Sequence, residues 1–165
     1  MNVLERAERE LAKGNLWRAK EILQGSVGHS GYKVEIYEKL GNVLLQMQDL
    51  AEAGRYLFLS GVRNPEYEEA IAIFLEKYEG KPHNLFRTFP RSAKLTKISE
   101  YPKIVAENLR ELGLPEMLKD ENGISLVHPD QSNNGRFELI ACFSIAFVVV
   151  ALIILGIVKL LEIVF

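Results

Sequence analysis

The chain has 165 residues, of which 20 are basic and 22 acidic, so the formal net charge at pH 7 is −2. This near-neutral charge does not indicate a nucleic-acid-binding protein, because such proteins have strongly basic domains. The single cysteine, Cys142, excludes a disulfide bond within the chain. With the apolar C-terminal region and the polar segment that leads to it set aside, roughly 115–120 residues remain, a normal length for one domain with one core.

Residues 1–79 predict short amphipathic helices, because apolar residues recur there at helical spacing between polar breaks. Gly14-Asn15 interrupts the first pattern, and Asn15 is expected to cap a second helix. The glycines of segment 25–31 predict a loop before the third helix. These breaks predict an all-α fold of short helical hairpins.

Two further helix starts are predicted from capping residues. Asp49 is followed by Glu52 three residues later, the arrangement of a capping box at the start of a fourth helix, which should end near Gly61. Asn64 and Pro65 predict the start of a fifth helix, since proline is favoured at the first helical position.

The fourth helix is apolar almost all round, so it is expected to pack on two sides. The fifth helix would cover one side, and Phe86 with Phe89 would cover part of the other. This expectation rests on four consecutive apolar residues, which together point to all sides of the helix: Tyr56, Leu57, Phe58 and Leu59.

Residues 80–118 are predicted to form a basic connector and a last helix. Between residues 81 and 99 there is no acidic residue, and a final helix is expected from about Pro102 to Leu112, ending at Gly113. We call residues 81–97 the basic segment; its five basic residues are Lys81, Arg87, Arg91, Lys94 and Lys97.

The C-terminal region predicts a membrane anchor. Residues 119–136 are polar and predict a flexible linker. Residues 139–158 then form an uncharged run without proline, long enough for a helix to cross the roughly 30 Å hydrocarbon layer of a bilayer, so we predict a transmembrane helix over 137–160. The alternative is a buried helix of a soluble protein. Reversible acylation of Cys142 is a further alternative to a plain membrane-facing thiol.

The topology prediction follows from what would have to cross the membrane. Only seven residues, 159–165, follow the apolar run, and the charged first ten residues do not resemble a secretory signal. We therefore expect a single-pass protein whose N-terminal domain lies on the cytoplasmic side.

No sequence motif indicates catalysis. There is no phosphate-binding loop, no nucleophile elbow and no Cys/His ligand spacing, and His29, His83 and His128 each stand alone. The sequence therefore predicts a protein that is not an enzyme, with no cofactor, no metal, no small-molecule substrate and no nucleic-acid partner.

A repeat of 34 residues is visible within the chain. The pattern Asn15-Leu16-x-x-Ala19-x-x-x-Leu23-x-x-Ser26 returns as Asp49-Leu50-x-x-Ala53-x-x-x-Leu57-x-x-Ser60. A helix pair repeating at this period is typical of the tetratricopeptide repeat. The second unit resembles that motif closely, and its close helix crossing is expected where Gly41 and Ala53 lie. Its matching positions are Tyr37, Leu40, Gly41, Leu44, Ala53, Leu57 and Pro65.

The phrases Asp49-Leu-Ala-Glu-Ala-Gly-Arg-Tyr-Leu-Phe-Leu-Ser-Gly61 and Glu68-Glu-Ala-Ile-Ala-Ile-Phe74 resemble an uncharacterised bacterial family of small tetratricopeptide-like proteins, known as a domain of unknown function. The resemblance covers roughly residues 1–112. It implies an all-helical fold, with tetratricopeptide-like repeats over residues 1–79, and brings no reaction, ligand or site.

The tetratricopeptide resemblance implies a groove lined by the first helix of each unit, which would take a peptide. Asn42 follows Gly41 where chaperone-binding repeats place an Asn that holds a peptide, but the cation expected four residues earlier is Glu38. The alternative is a solvated face. The groove positions carried over are Glu35, Glu38, Lys39, Asn42 and Gln46.

The function predicted from these features is a membrane-tethered adaptor or scaffold that binds another protein at the cytoplasmic face. The alternative is a membrane-surface protein whose basic segment 81–97 binds anionic lipid, with Phe86 and Phe89 inserted at the interface. A connecting loop with core aromatics and solvated charges is the plainer interpretation of the same segment.

Overall fold

A computed structural model describes residues 2–120 and 123–127. These residues form an all-α domain of seven helices. The helices are α1 (Val3–Ala12), α2 (Leu16–Val27), α3 (Val34–Gln46), α4 (Leu50–Ser60), α5 (Pro65–Lys77), α6 (Pro82–Thr88) and α7 (Lys103–Glu111). Two short 3₁₀ turns, Arg91–Ala93 and Ile98–Glu100, lie between α6 and α7.

The first five helices pack in chain order, each on the next, with α7 reaching α4. Small residues set the closest crossings. A Cβ atom on Gly41 would lie 2.5 Å from Leu57 Cγ, so the predicted close crossing of α3 and α4 at Gly41 is confirmed. A still closer approach, of α4 to α5 at Gly54, was not predicted.

The predicted helix starts are confirmed, but their capping contacts are only partly as expected. The Asp49 carboxylate accepts a hydrogen bond of 3.2 Å from the Glu52 backbone N–H. The reciprocal half of the capping box is absent, since the Asp49 N–H donates to Leu44 O and the Glu52 carboxylate pairs with Arg55 instead. Neither Asn15 nor Asn64 makes a side-chain cap.

The loop predicted over 25–31 begins later than expected, because α2 continues through Val27. Ser26 and Val27 face the core and are buried. Burial of these two side chains outweighs the low helix propensity of Gly25, which is exposed and has open space where a Cβ would stand. The chain then turns through Gly28 and the left-handed Gly31.

Helix α4 packs on two sides, as predicted. Phe58 lies at the centre, with its ring centroid 5.8 Å from that of Phe74 on α5 and 6.2 Å from that of Phe89 in the connector. Phe86 and Phe89 are both buried. Their side chains are therefore core, and the alternative in which they insert into a membrane interface is wrong for this fold.

The sequence did not predict α6, a seven-residue helix inside the basic segment. Its two buried residues, Leu85 and Phe86, are adjacent in the chain. Two adjacent apolar residues are too short a pattern to show helical periodicity. The predicted last helix is confirmed as α7. It ends shortly before Gly113, a residue that adopts the left-handed conformation (φ 85°).

The chain after α7 returns to the connector. Leu118 is buried, its N–H donates to Thr96 O, and its carbonyl accepts from the Leu126 N–H. Residues 119–120 and 123–127, the described part of the predicted linker, form a turn held by these bonds. The apolar run 139–158 and the rest of the linker lie outside the described residues. Within 2–120 and 123–127, no helix combines the length and apolar character that crossing a membrane requires.

Candidate functional site

The predicted groove positions are all on α3, and most of them line one depression. Residues spaced three or four apart on a helix share a face, so positions 35, 38, 39, 42 and 46 follow one another along α3. A cavity of about 290 Å³ lies between this face and α1. We call it the α1–α3 groove; its lining residues are Leu4, Glu8, Glu35, Glu38, Lys39 and Asn42. Gln46 is exposed farther along α3, beyond the lining.

Helix α5 supports the floor of this groove through one hydroxyl group. Tyr67 is buried on α5, and its OH donates to Glu38 Oε1 at 3.3 Å. The same OH accepts from Asn42 Nδ2 at 2.8 Å. The carboxylate can only accept, so the single hydroxyl proton must point to Glu38 and the Asn42 amide must be the donor. This fixes the orientation of the Asn42 amide and leaves its Oδ1 as an acceptor that no described residue uses.

The groove carries a net negative charge. Lys39 Nζ lies 3.0 Å from Glu8 Oε1, so these two charges offset each other. Glu38 and Glu35 remain, and in the part of the chain that the structure describes neither of them has a cationic partner. The arrangement therefore favours a ligand that carries positive charge and N–H donors, and it disfavours a free carboxylate.

Sequence reasoning missed Leu4 and Glu8 in the groove lining, and it missed Tyr67, which supports the lining from α5. The signal for Glu8 was available, because a groove lined by the first helix of every unit also includes α1. Tyr67 carried no such signal: its spacing correctly predicts a core residue, and only the packing of α5 against α3 shows that its hydroxyl reaches the groove.

The basic segment does not cover the groove. It packs on other parts of α3 and α4, where Ser92 Oγ lies 2.7 Å from Tyr37 OH and Thr88 O accepts from Arg55 at 3.3 Å. All residues that line the groove belong to α1 and α3. Among the described residues, then, the groove is open.

The structure gathers part of the basic segment and adds Lys119 to it. Burial, together with the positive charges of Lys119, Arg87 and Arg91, lowers the pKa of Lys94. Lys94 Nζ donates to Arg87 O at 3.2 Å, and Lys119 Nζ donates to Lys94 O. Lys81 stands apart at the start of α6, and Lys97 pairs with Met117 in an isolated β-bridge. Lys119 was missed because the sequence places it in a predicted linker.

A larger depression, of about 540 Å³, lies between α1 and α2. Two of its polar side chains already have partners on α2: Arg18 pairs with Glu21 at 2.7 Å, and His29 Nδ1 is 3.0 Å from Gly25 O. No group of three or more His, Cys, Asp or Glu side chains among the described residues is placed to hold a metal ion. The α1–α3 groove is therefore the candidate site.

Comparison with known proteins finds one family. A family model described as a family of unknown function (DUF6584) matches residues 1–162. This match extends well beyond the 1–112 range of the resemblance drawn from the sequence, and includes the apolar run. No curated protein and no solved structure matches the chain. The match supports the all-helical fold and brings no ligand, reaction or partner.

Proposed function

The chain belongs to the DUF6584 family of unknown function, and we propose that it is a non-enzymatic protein-interaction module tethered to a membrane. The observation that carries this proposal is the open α1–α3 groove. Its polar side chains are held in place by Tyr67 and by the Glu8–Lys39 pair, and no described part of the chain occupies it.

The succession of helices supports a tetratricopeptide-like arrangement. Helices α1 to α5 pack in chain order as two hairpins and a further helix. In tetratricopeptide arrays the first helices of successive units line one face, and here α1 and α3 line the groove while α5 supports it. The 34-residue repeat of α2 and α4 is consistent with the same arrangement.

The groove chemistry favours a particular kind of protein partner. A segment containing Lys or Arg would place its charge near Glu35 and Glu38, and a backbone N–H could donate to Asn42 Oδ1. Such a groove gives most of its selectivity through charge complementarity. We propose an extended basic peptide segment of another protein as the ligand.

The apolar run 139–158 supports the tether. A helix of this length and composition would insert into a bilayer, with the N-terminal domain on the cytoplasmic side. The proposed mechanism is concentration of the partner at the membrane, because tethering makes the second of two binding events intramolecular.

Photo-crosslinking in native membranes tests the groove. The crosslinking amino acid is placed at Glu35 in the groove lining, or at Gln46 farther along the same face of α3. Both positions are exposed, and neither side chain is hydrogen-bonded to a described residue. The matched control is Ala51, an exposed position on α4 away from the groove. A discrete protein adduct from Glu35 and Gln46 but not from Ala51 is expected. Equal adducts at all three positions, or lipid adducts alone, would contradict a protein-binding groove.

A variant that removes one negative charge tests whether the ligand of the groove is basic. Adding Glu38→Gln to the Glu35 crosslinking chain should reduce the adduct yield, because the crosslinker already replaces Glu35 and Glu38 is the unneutralised carboxylate that remains in the groove lining. Glu111→Gln, on the exposed surface of α7, makes the same charge change elsewhere and should leave the yield unchanged. A yield that is insensitive to Glu38→Gln would refute a basic ligand while leaving the groove itself intact.

A further inference from the structure

The basic segment differs from the rest of the domain in how its charges are balanced. The structure describes seven ion pairs, formed by Lys13, Arg18, Lys20, Lys39, Arg55, Lys103 and Arg110. None of them involves a cation of the basic segment or Lys119. Within residues 2–120 and 123–127, positive charge is therefore left without acidic partners in one region of the domain.

Contacts to backbone carbonyl groups hold Arg87, Lys94 and Lys119 together, and the backbone N–H of Lys94 donates to Arg91 O at 3.3 Å. Lys94 and Lys119 each donate to a carbonyl group, of Arg87 and of Lys94 respectively, and such bonds position an ammonium group without neutralising it. Arg87 and Arg91 are exposed. We call Arg87, Arg91, Lys94 and Lys119 the basic surface. Like charges this close repel one another, so a counter-charge from outside the domain would relieve the repulsion.

The position of the basic surface in the chain suggests what supplies that counter-charge. Lys119 begins the turn that ends, in the described residues, at Val127, and eleven residues, 128–138, separate Val127 from the apolar run. A chain of this length reaches at most about 40 Å even when fully extended. With the run in a bilayer, the basic surface lies within reach of the lipid headgroups. Basic clusters beside a membrane-spanning helix bind anionic lipids.

We propose that the basic surface docks on the anionic phospholipid headgroups of the bilayer that holds the apolar run. This inference rests on the membrane tethering proposed above and is independent of the peptide ligand. The docked domain is held against the membrane, and the contact is electrostatic, so high ionic strength weakens it.

The test uses the full chain reconstituted into vesicles, with a fluorophore attached at Ile124→Cys in a Cys142→Ala background. Ile124 is 64 % exposed and lies in the turn that follows Lys119. Quenching by a headgroup-attached spin label is measured in phosphatidylcholine vesicles with and without phosphatidylserine. We expect stronger quenching when phosphatidylserine is present, and loss of the difference at high salt.

The informative variant is Arg87→Gln/Arg91→Gln, which changes two exposed side chains that pair with no acid among the described residues. The ratio of docked to undocked chains should fall about fivefold for each cation removed, so about 25-fold for the pair. Lys13→Gln/Lys103→Gln removes the same charge elsewhere and should have no effect.

Equal quenching in both lipid compositions, or equal behaviour of the two double variants, would overturn the docking. Extraction with alkaline carbonate is run in parallel. A chain that resists extraction but does not dock refutes only this inference, whereas a chain released by carbonate refutes the membrane tether.

Discussion

Gly54 on α4 lies so close to Ala70 on α5 that a Cβ atom at position 54 would be 1.9 Å from the Ala70 carbonyl oxygen. The obstacle is backbone, which cannot move aside as a side chain can. We predict that Gly54→Ala separates α4 from α5 and lowers the free energy of unfolding by about 3 kcal/mol. Urea unfolding of the detergent-solubilised chain, followed by far-UV circular dichroism, measures this change.

Gly25→Ala is the matched control for this substitution. Gly25 is also within a helix, α2, but nothing lies within 4 Å of its would-be Cβ. Alanine there should raise the free energy of unfolding by about 0.5–1 kcal/mol, because glycine is a poor helix former. Similar effects of the two substitutions would show that the α4–α5 crossing is less close than described.

The cap of α4 should contribute measurably to stability. Asp49→Ala removes the hydrogen bond to the Glu52 N–H, and we expect a loss of about 1 kcal/mol. Asn64→Ala changes the corresponding position of α5, where the side chain makes no cap, and should cost only a few tenths. If both cost the same, the Asp49 contact is not a working cap in solution.

Helices are predicted correctly where the spacing of apolar residues and the capping residues agree. The prediction is least reliable where burial against distant residues decides whether a segment is helical. The starts of α4 and α5 and the two-sided packing of α4 followed from local patterns. The extension of α2 through Ser26 and Val27, and the existence of α6, depend on contacts with residues distant in the chain. The approach of Gly54 to Ala70 likewise depends on a pair of helices, which no single window of sequence contains.

The candidate site was predicted in part for a similar reason. Helical spacing places Glu35, Glu38, Lys39 and Asn42 on one face of α3, and the structure keeps four of the five predicted positions in one groove. Whether a face is covered by another element is not encoded in spacing. The contribution of Tyr67 and the meeting of Lys119 with Lys94 therefore appear only in three dimensions.

The hydroxyl group of Tyr67 should contribute more to the free energy of unfolding than the hydroxyl group of Tyr78, which lies at the other end of α5. Tyr67→Phe removes hydrogen bonds to both Asn42 and Glu38, with an expected loss of about 1 kcal/mol in the free energy of unfolding. Tyr78→Phe is the control, since the Tyr78 ring packs on Phe74 and its hydroxyl group has no described hydrogen bond. Equal losses in urea unfolding would mean that the Asn42–Tyr67–Glu38 network adds no stability.

The domain should lose stability at alkaline pH. Burial raises the pKa of Tyr37, Tyr56 and Tyr101 above the ordinary value of about 10. Above that pH the unfolded chain releases phenolic protons that the native chain retains, so the unfolded state binds fewer protons. The contribution of these tyrosines to the free energy of unfolding is constant below about pH 10 and should then fall by up to about 1.4 kcal/mol per pH unit for each of them.

Urea midpoints measured across the alkaline range check this pH dependence. Tyr101→Phe should make the fall more gradual, since one buried phenol no longer titrates. A stability that does not change between neutral pH and about pH 11 would contradict the burial of these three hydroxyl groups.

The packing of Phe86 and Phe89 against α4 decides how short the domain can be made. The two side chains are buried on the side of α4 that α5 leaves uncovered, with the ring centroid of Phe89 6.2 Å from that of Phe58. A fragment that ends after α5 would expose this apolar side of α4 to water, and a large exposed apolar patch promotes aggregation. The five-helix stack is therefore not a separable unit, and any shortened form of the domain has to keep the connector through Phe89.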